Sequence, residues 1–187
     1  MVELEAHDVI RNSKLVIFDS DGCLVEEGVP YKFVDKLINL LKQQQKQIVI
    51  FTNNSTTHPN VLLDHFRSMG IQVDHVINSG KLAVEYCKQN GIESVYVLGE
   101  QGLVDLFEEN MISVEEKRVE AVIVGMDRSL TYERLTIATR FIRNGARFIA
   151  TNPDKSFPTK RGLEPGAGSM IAALEASSDQ IPEIILG

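Results

Sequence analysis

Two aspartates that directly follow a short apolar run are the residues of this sequence best suited to chemistry. Asp19 and Asp21 come immediately after Leu15–Phe18, and Gly22 then allows the chain to turn sharply. The apolar run predicts a strand buried on both faces, as in a parallel sheet. Because open α/β sheets bind ligands just beyond the carboxyl ends of their strands, the pair indicates a small anion-binding or metal-dependent site. A loop of solvated acids is the simpler alternative.

The paired carboxylates suit phosphate chemistry in three ways. Magnesium is held by one or two carboxylates together with substrate phosphate oxygens. A carboxylate can also act as a nucleophile and form an aspartyl-phosphate. Two neighbouring acids in different environments can divide the roles of nucleophile and general acid between them. The residues alone leave these options open.

A further polar cluster follows the next predicted strand. Gln47–Phe51 repeats the apolar pattern after a predicted helix, and Thr52 stands at its end. Because such crossovers are right-handed in nearly all known sheets, the two strands should be parallel neighbours. Thr52 would then offer a hydroxyl and a backbone N–H to a phosphate oxygen.

Strand and helix patterns alternate along the whole chain, which indicates an α/β fold. The predicted strands are Leu15–Phe18, Gln47–Phe51, Ile71–Ile77, Ser94–Leu98, Ala121–Val124, Arg147–Ala150 and Ile184–Leu186. The predicted helices are Val34–Leu41, with Leu37 on its inner face and Pro30 in its first turn, Pro59–Met69, Lys81–Gln89 capped by Ser79, Gln101–Glu109, Tyr132–Arg143 and Ser169–Ala176. Pattern alone does not decide between one large sheet and two α/β units.

Composition narrows the class of protein. The chain has 187 residues, of which 43% are hydrophobic and 24% charged, with a net charge of −7. Clustered basic residues drive nucleic-acid binding, so this balance argues against such a partner. The acidic segment Met1–His7 lacks the apolar region of a signal peptide, and no apolar run reaches the roughly 18 residues of a membrane span. Cys23 and Cys87 form neither a metal-ligand spacing nor a disulfide framework, so we expect a cytoplasmic protein without a membrane partner.

Several motifs resemble those of one enzyme family. Asp19–Leu24 resembles the DxDGxL first motif of the haloacid dehalogenase superfamily, and Thr52–Ser55 resembles the TNNS second motif of its IIA branch. Ala121–Asp127, Phe148–Asp154 and Pro165–Ser169 resemble the α/β cap of that branch. The resemblance covers nearly all of the chain. It implies a phosphatase of the kind that includes phosphoglycolate, 4-nitrophenyl, sugar-phosphate and nucleotide phosphatases.

The resemblance also assigns roles by position. Asp19 would be the nucleophile and Asp21 the general acid, with Mg²⁺ bound by Asp19 and the backbone carbonyl of Asp21. Thr52 and the backbone N–H of Asn53 would hold the phosphoryl group of a small phosphorylated metabolite. Because the charge of that group spreads over its oxygens, positioning and electrostatics would supply most of the catalysis.

The implied fold is a Rossmann-like three-layer core with an incomplete parallel sheet, plus an inserted α/β cap of the C2 type. Residues 1–81 would form the N-terminal part of the core, 82–182 the cap, and 183–187 the start of the returning core strand. In the family a Gly-Lys-Pro motif with a catalytic lysine and an acidic Gly-Asp motif come after that point. We therefore expect a chain truncated at its C-terminus, without full activity on its own. Self-association through the cap is left open.

Two other functions compete with a phosphomonoester hydrolase. One is a non-catalytic remnant that binds a phosphate ligand or a partner protein, and the other is a receiver-like domain that accepts phosphate on Asp19. A receiver domain should be smaller and lack a cap.

The remaining candidate residues are better explained by structure than by chemistry. Asn152–Asp154 is expected to form a turn of the cap rather than contact substrate. Gly166 and Gly168 suit close helix packing at least as well as anion binding. The scattered residues His58, His65, His75, Cys87, Arg147 and Arg161 are expected in packing or solvated positions.

Overall fold

The computed structural model describes residues 8–26 and 28–187, and the acidic segment 1–7 lies outside them. The described chain forms two compact units. The first unit extends to Thr52 and includes Pro59–Ile77, and the second contains Asn53–His58 and everything from Asn78 to Gly187. The chain therefore passes from one unit to the other at three points. None of the described helices is long and apolar enough to cross a membrane.

The first unit is built on a three-stranded sheet. Its elements are β1 (Leu15–Asp19), β2 (Val25–Glu26), β3 (Val29–Pro30), α1 (Val34–Gln43), β4 (Gln47–Thr52), α2 (Pro59–Ser68) and β5 (His75–Asn78), after a short helical segment at 8–12. The sheet has the order β1-β4-β5, and β1 pairs with β4 in parallel, as the sequence predicted. β2 and β3 form a small antiparallel hairpin, so Pro30 lies in a strand and not in the first turn of α1.

One face of this sheet carries its helices. Both crossovers, β1–α1–β4 and β4–α2–β5, advance in the same direction across the sheet, so right-handed connections place α1 and α2 on the same side. Ile48 and Ile50 of β4 accordingly belong to one hydrophobic core with residues of both helices.

The prediction that β1 is buried on both faces is wrong. Leu15 is 44% exposed and Ile17 is 56% exposed, because they point to the face opposite the two helices. Leu37 is likewise 43% exposed, although the helix pattern placed it inside; only Val34, Ile38 and Leu41 of α1 are buried.

The second unit contains a complete three-layer arrangement. Its elements are α3 (Ser79–Gln89), β6 (Ser94–Leu98), α4 (Gln101–Glu109), β7 (Ser113–Val114), β8 (Ala121–Val124), α5 (Tyr132–Arg143), β9 (Arg147–Ala150), β10 (Ser156–Thr159), β11 (Gly162–Pro165), α6 (Ala167–Ser178) and β12 (Ile184–Ile185). The five strands of its sheet run parallel in the order β12-β9-β8-β6-β7. Helices α3 and α4 cover one face and α5 and α6 the other, so the inner strands are almost wholly buried.

The direction of the connections reverses between β6 and β8. From β6 the chain moves through α4 to β7 at one edge, whereas from β8 it moves through α5 and α6 to the opposite edge. In doubly wound sheets this reversal opens a crevice beyond the carboxyl ends of the two strands. In this unit those ends are followed by Gly99 and Gly125.

Some details of the second unit differ from the sequence expectation. α3 begins at Ser79 and is capped by Asn78, whose side chain accepts the N–H of Lys81, so Ser79 is not the cap. β12 pairs with β9 in the second sheet, whereas residues 183–187 were expected to begin a strand of the first unit. The hairpin of β10 and β11 was not predicted, because its alternation of polar and apolar residues is too short to be distinguished from a loop.

Candidate active site

The carboxyl end of β1 carries both aspartates on a tightly turned loop. Asp19 is the last residue of the strand and is exposed. The carbonyl of Ser20 then accepts the backbone N–H groups of Leu24 at 2.9 Å and Val25 at 3.1 Å. Gly22 has φ +77°, a left-handed conformation that favours glycine, and Leu24 is buried beneath the turn. The loop therefore holds the backbone of Asp21 in place two residues after Asp19.

The two carboxyl groups influence each other. Burial raises the pKa of Asp21, the negative charge of Asp19 raises it further, and a hydrogen bond with Ser20 opposes the shift. A carboxyl group that keeps its proton to higher pH is suited to donate that proton to a leaving group. Asp21 is therefore the better candidate of the two for a general acid.

The raised pKa of Asp21 predicts a pH-dependent effect on stability. Well below the ordinary aspartate pKa of about 3.9, the carboxyl is protonated in both the folded and the unfolded chain, so it carries no electrostatic penalty. As pH rises toward the raised folded-state pKa, the unfolded chain loses its proton first, and stability falls. We expect Asp21→Asn to raise Tm at pH 7 relative to its effect at about pH 3, where both states carry the proton. Thermal unfolding at the two pH values in EDTA measures this, and a Tm difference independent of pH would contradict it.

Thr52 lies where the sequence placed it. In the parallel register Asp19 is opposite Phe51, so Thr52, the last residue of β4, follows at the same edge of the sheet. Its side chain is buried. The first unit thus brings together Asp19, Asp21 and Thr52 at the carboxyl ends of two neighbouring strands.

Asn53 begins a loop that belongs to the second unit. Its side-chain amide donates to Asp154 Oδ2 at 2.9 Å. Its carbonyl accepts hydrogen bonds from Ser79 Oγ at 2.9 Å and Asn152 Nδ2 at 3.0 Å. Asn54 stabilises the loop internally, since its Oδ1 accepts the N–H and the hydroxyl of Thr56.

The turn at Asn152–Asp154 therefore has a second role that the sequence did not reveal. Asn152 Oδ1 accepts the N–H of Asp154 at 3.2 Å, which is the turn that was predicted. Both side chains also hold Asn53, which lies about a hundred residues earlier in the chain. Pattern reasoning had no signal for this contact because nothing local links the two segments.

The remaining candidates behave as packing or surface residues. A Cβ on Gly166 would lie 2.3 Å from Asp154 O, and one on Gly168 would lie 2.4 Å from Pro153 O, so both glycines permit close approach of backbone. Burial raises the pKa of the Cys87 thiol to about 12, which leaves it unreactive. Arg147 was expected to be solvated but forms an ion pair with Glu183 at 2.6 Å.

The donor set at β1 fits a hard divalent cation. Residues 8–26 and 28–187 hold no cluster of three or more His, Cys, Asp or Glu side chains suited to a metal ion. Magnesium needs only one or two carboxylates, because water and substrate phosphate oxygens complete its shell. Asp19, exposed at the strand end, and Asp21 supply that number.

The fold agrees with comparison to known proteins. Residues 16–113 match the family model of haloacid dehalogenase-like hydrolases. The chain therefore belongs to this family, and its motifs place it in the IIA branch.

Individual relatives extend the similarity to most of the chain. It is 33% identical over 180 residues to an acid sugar phosphatase of Staphylococcus saprophyticus and 33% identical over 179 residues to a 5′-nucleotidase of Bacillus subtilis. Each match covers 94% of this chain and 70% of the relative. The crystal structure of a 4-nitrophenylphosphatase from Thermotoga maritima superposes with a TM-score of 0.89 at 35% identity, over 96% of this chain and 70% of that one.

Proposed function

We propose that this protein is a Mg²⁺-dependent phosphomonoester hydrolase that acts on small phosphorylated metabolites through an aspartyl-phosphate. The observation that carries the proposal is the pairing of β1 with β4, which sets Asp19 and Thr52 at the same sheet edge beside an Asp21 of raised pKa. The names of its relatives, an acid sugar phosphatase, a 5′-nucleotidase and a 4-nitrophenylphosphatase, support the reaction type and a small substrate.

The proposed reaction divides the work between the two aspartates. A carboxylate oxygen of Asp19 forms a bond to phosphorus while the bond from phosphorus to the leaving oxygen breaks. Asp21 gives its proton to that leaving oxygen and then takes a proton from water. The water oxygen attacks phosphorus, the bond to Asp19 breaks, and inorganic phosphate leaves.

Other groups hold the phosphoryl group during both steps. The hydroxyl of Thr52 and the backbone N–H of Asn53 would donate to its oxygens. Mg²⁺, bound by the carboxylate of Asp19 and the backbone carbonyl of Asp21, would supply positive charge against the repulsion between Asp19 and the phosphate. We propose that Asn53–His58 and the unit from Asn78 onward act as the cap. A cytoplasmic location and self-association through the cap stay predictions.

Removal of divalent cations tests the proposal. We expect phosphate release from 4-nitrophenyl phosphate to stop in EDTA and to return when Mg²⁺ is added in excess. Because Mg²⁺ binds the folded site and not the unfolded chain, it should also raise Tm. Asp19→Asn should show no such rise, which serves as the control. Turnover that persists in EDTA would contradict the role of the metal.

Two alternatives give different results in the same assay. Membership of the hydrolase family and the presence of a second α/β unit argue against a receiver-like domain, which should be smaller. A non-catalytic remnant would bind inorganic phosphate in the folded state without turning over any phosphomonoester. A panel of sugar phosphates, nucleotides and 4-nitrophenyl phosphate then distinguishes substrate classes.

A further inference from the structure

The loop that begins at Asn53 occupies the crevice of the second sheet. Beyond β8, a Cβ on Gly125 would lie 2.9 Å from Ser55 Oγ, and beyond β9 the hydroxyl of Thr151 lies 3.3 Å from the same atom. At the start of α4, a Cβ on Gly102 would lie 2.5 Å from Thr56 O. A doubly wound sheet usually binds its ligand at this place. Here the sheet binds part of its own chain.

Two buried side chains hold the carbonyl of Asn53. Ser79 Oγ and Asn152 Nδ2 both donate to it, at 2.9 Å and 3.0 Å, and each of the two residues is at most 5% exposed. A carbonyl oxygen has two lone pairs, so both are in use. Because the peptide unit is planar, fixing this oxygen fixes the orientation of the peptide that leaves Asn53.

A third buried side chain holds the rest of the loop. Asn78 Nδ2 donates to Asn54 O at 2.9 Å and to Thr57 O at 3.0 Å. Its Oδ1 accepts the N–H of Lys81 at 2.9 Å, which caps α3. This helix-capping bond fixes the orientation of the Asn78 side-chain amide, so that its nitrogen faces the loop. Asn78 is 1% exposed, so water does not compete for these bonds.

We propose that Asn78, Ser79 and Asn152 are positioning residues for Asn53, because they fix the peptide units that directly follow the Asn53 N–H proposed to bind phosphate. They act through the carbonyls of Asn53, Asn54 and Thr57 and do not touch the phosphoryl group. The three side chains thereby fix the loop that directly follows Thr52 in the chain. This inference rests on the proposed function, because it assumes that Thr52 and Asn53 bind phosphate.

Variants that remove only the donors test the inference. Ser79→Ala deletes one hydroxyl, and Ser79→Thr restores it. Asn78→Ser keeps an oxygen that can cap α3 but removes the amide nitrogen that donates to Asn54 O and Thr57 O. Ile142→Val, on the buried face of α5, is the control for a general loss of stability, because its hydrophobic cluster contains none of the residues that hold the loop.

Two measurements separate positioning from stability. We expect Ser79→Ala and Asn78→Ser to raise the Kd for inorganic phosphate, measured by NMR titration in Mg²⁺, by about tenfold. They should also speed amide hydrogen exchange at residues 53–58 in the absence of phosphate. Ser79→Thr should restore both quantities toward the wild-type values. Ile142→Val should lower Tm and leave both unchanged.

The outcomes distinguish this inference from the function on which it rests. A wild-type chain that does not bind phosphate would overturn the proposed function, and this inference with it. A wild-type chain that binds phosphate, with Ser79→Ala and Asn78→Ser within twofold of its Kd, would overturn the inference alone. An equal rise in Kd for Ile142→Val would also overturn it, because the effect would then follow stability.

Discussion

Asp19→Asn is expected to lower phosphate release from 4-nitrophenyl phosphate by about 10³-fold or more, because the amide cannot act as the carboxylate nucleophile. The same change removes a negative ligand from the proposed Mg²⁺ site. It should leave the fold intact, since Asp19 is exposed at the end of β1 and the apolar residues of that strand are untouched. Steady-state kinetics of both proteins in Mg²⁺, with Tm as the check on folding, measure the effect.

Asp35→Asn is the matched control. Asp35 is an exposed aspartate in the first turn of α1, so its replacement removes one negative charge without touching the sheet edge. We expect its turnover to equal that of the wild type. Unchanged turnover in Asp19→Asn would show that another group attacks phosphorus. Folded wild-type protein with no turnover would favour the non-catalytic alternative.

Arg134→Ala is expected to lower the free energy of unfolding by about 3 kcal/mol, because it leaves a buried carboxylate without its charge partner. The side chain of Asp127 is fully buried and forms an ion pair with Arg134, whose other nitrogen donates to Val97 O at 3.2 Å and Gly99 O at 3.3 Å. Arg134 thus connects the end of β6 to the loop after β8. Urea denaturation monitored by circular dichroism measures the loss.

Two controls make the assignment specific. Arg161→Ala removes an arginine that is 89% exposed, next to Glu164, and should have little effect because exposed ion pairs contribute little. In the double variant with Asp127→Asn, the cost should be smaller than the sum of the two single costs by about 1–3 kcal/mol. If the cost of the double variant equals the sum of the two single costs, the interaction between Arg134 and Asp127 does not stabilise the second unit.

Apolar runs and helical apolar periods in the second unit were predictable from the sequence. The predicted bounds of β6, α4, β8, α5 and β9 agree with the structure. The three strands are buried almost continuously and so appear as apolar runs, and the two helices bury one face and so show the helical period. The predictions failed where context decided: Leu37 has the spacing of a core residue, but the helix turns it away from the single sheet face that α1 covers. Pro30 suits a helix start, yet it pairs with Val25 in a hairpin.

The candidate site divides in the same way. Asp19, Asp21 and Thr52 were found from residue types placed after apolar strands, because a parallel crossover brings the ends of successive strands together. The residues that hold Asn53 were not found. Ser79 was predicted only as a helix cap and Asn152 only as a turn residue. Each of these local predictions gave no indication that the side chain also donates to the carbonyl of Asn53.

The sequence by itself determined the alternation of strands and helices and the family, and it indicated the two aspartates and Thr52 as site candidates, because these depend on local period and on motifs of residues close together in the chain. Only the tertiary structure decided that β1 is exposed on one face and that β12 joins the second sheet. It alone showed that Asn78, Ser79 and Asn152 hold the loop after β4. These features depend on contacts between residues from 21 to 99 positions apart, and a side-chain donor that binds a distant carbonyl leaves no periodic pattern in the sequence.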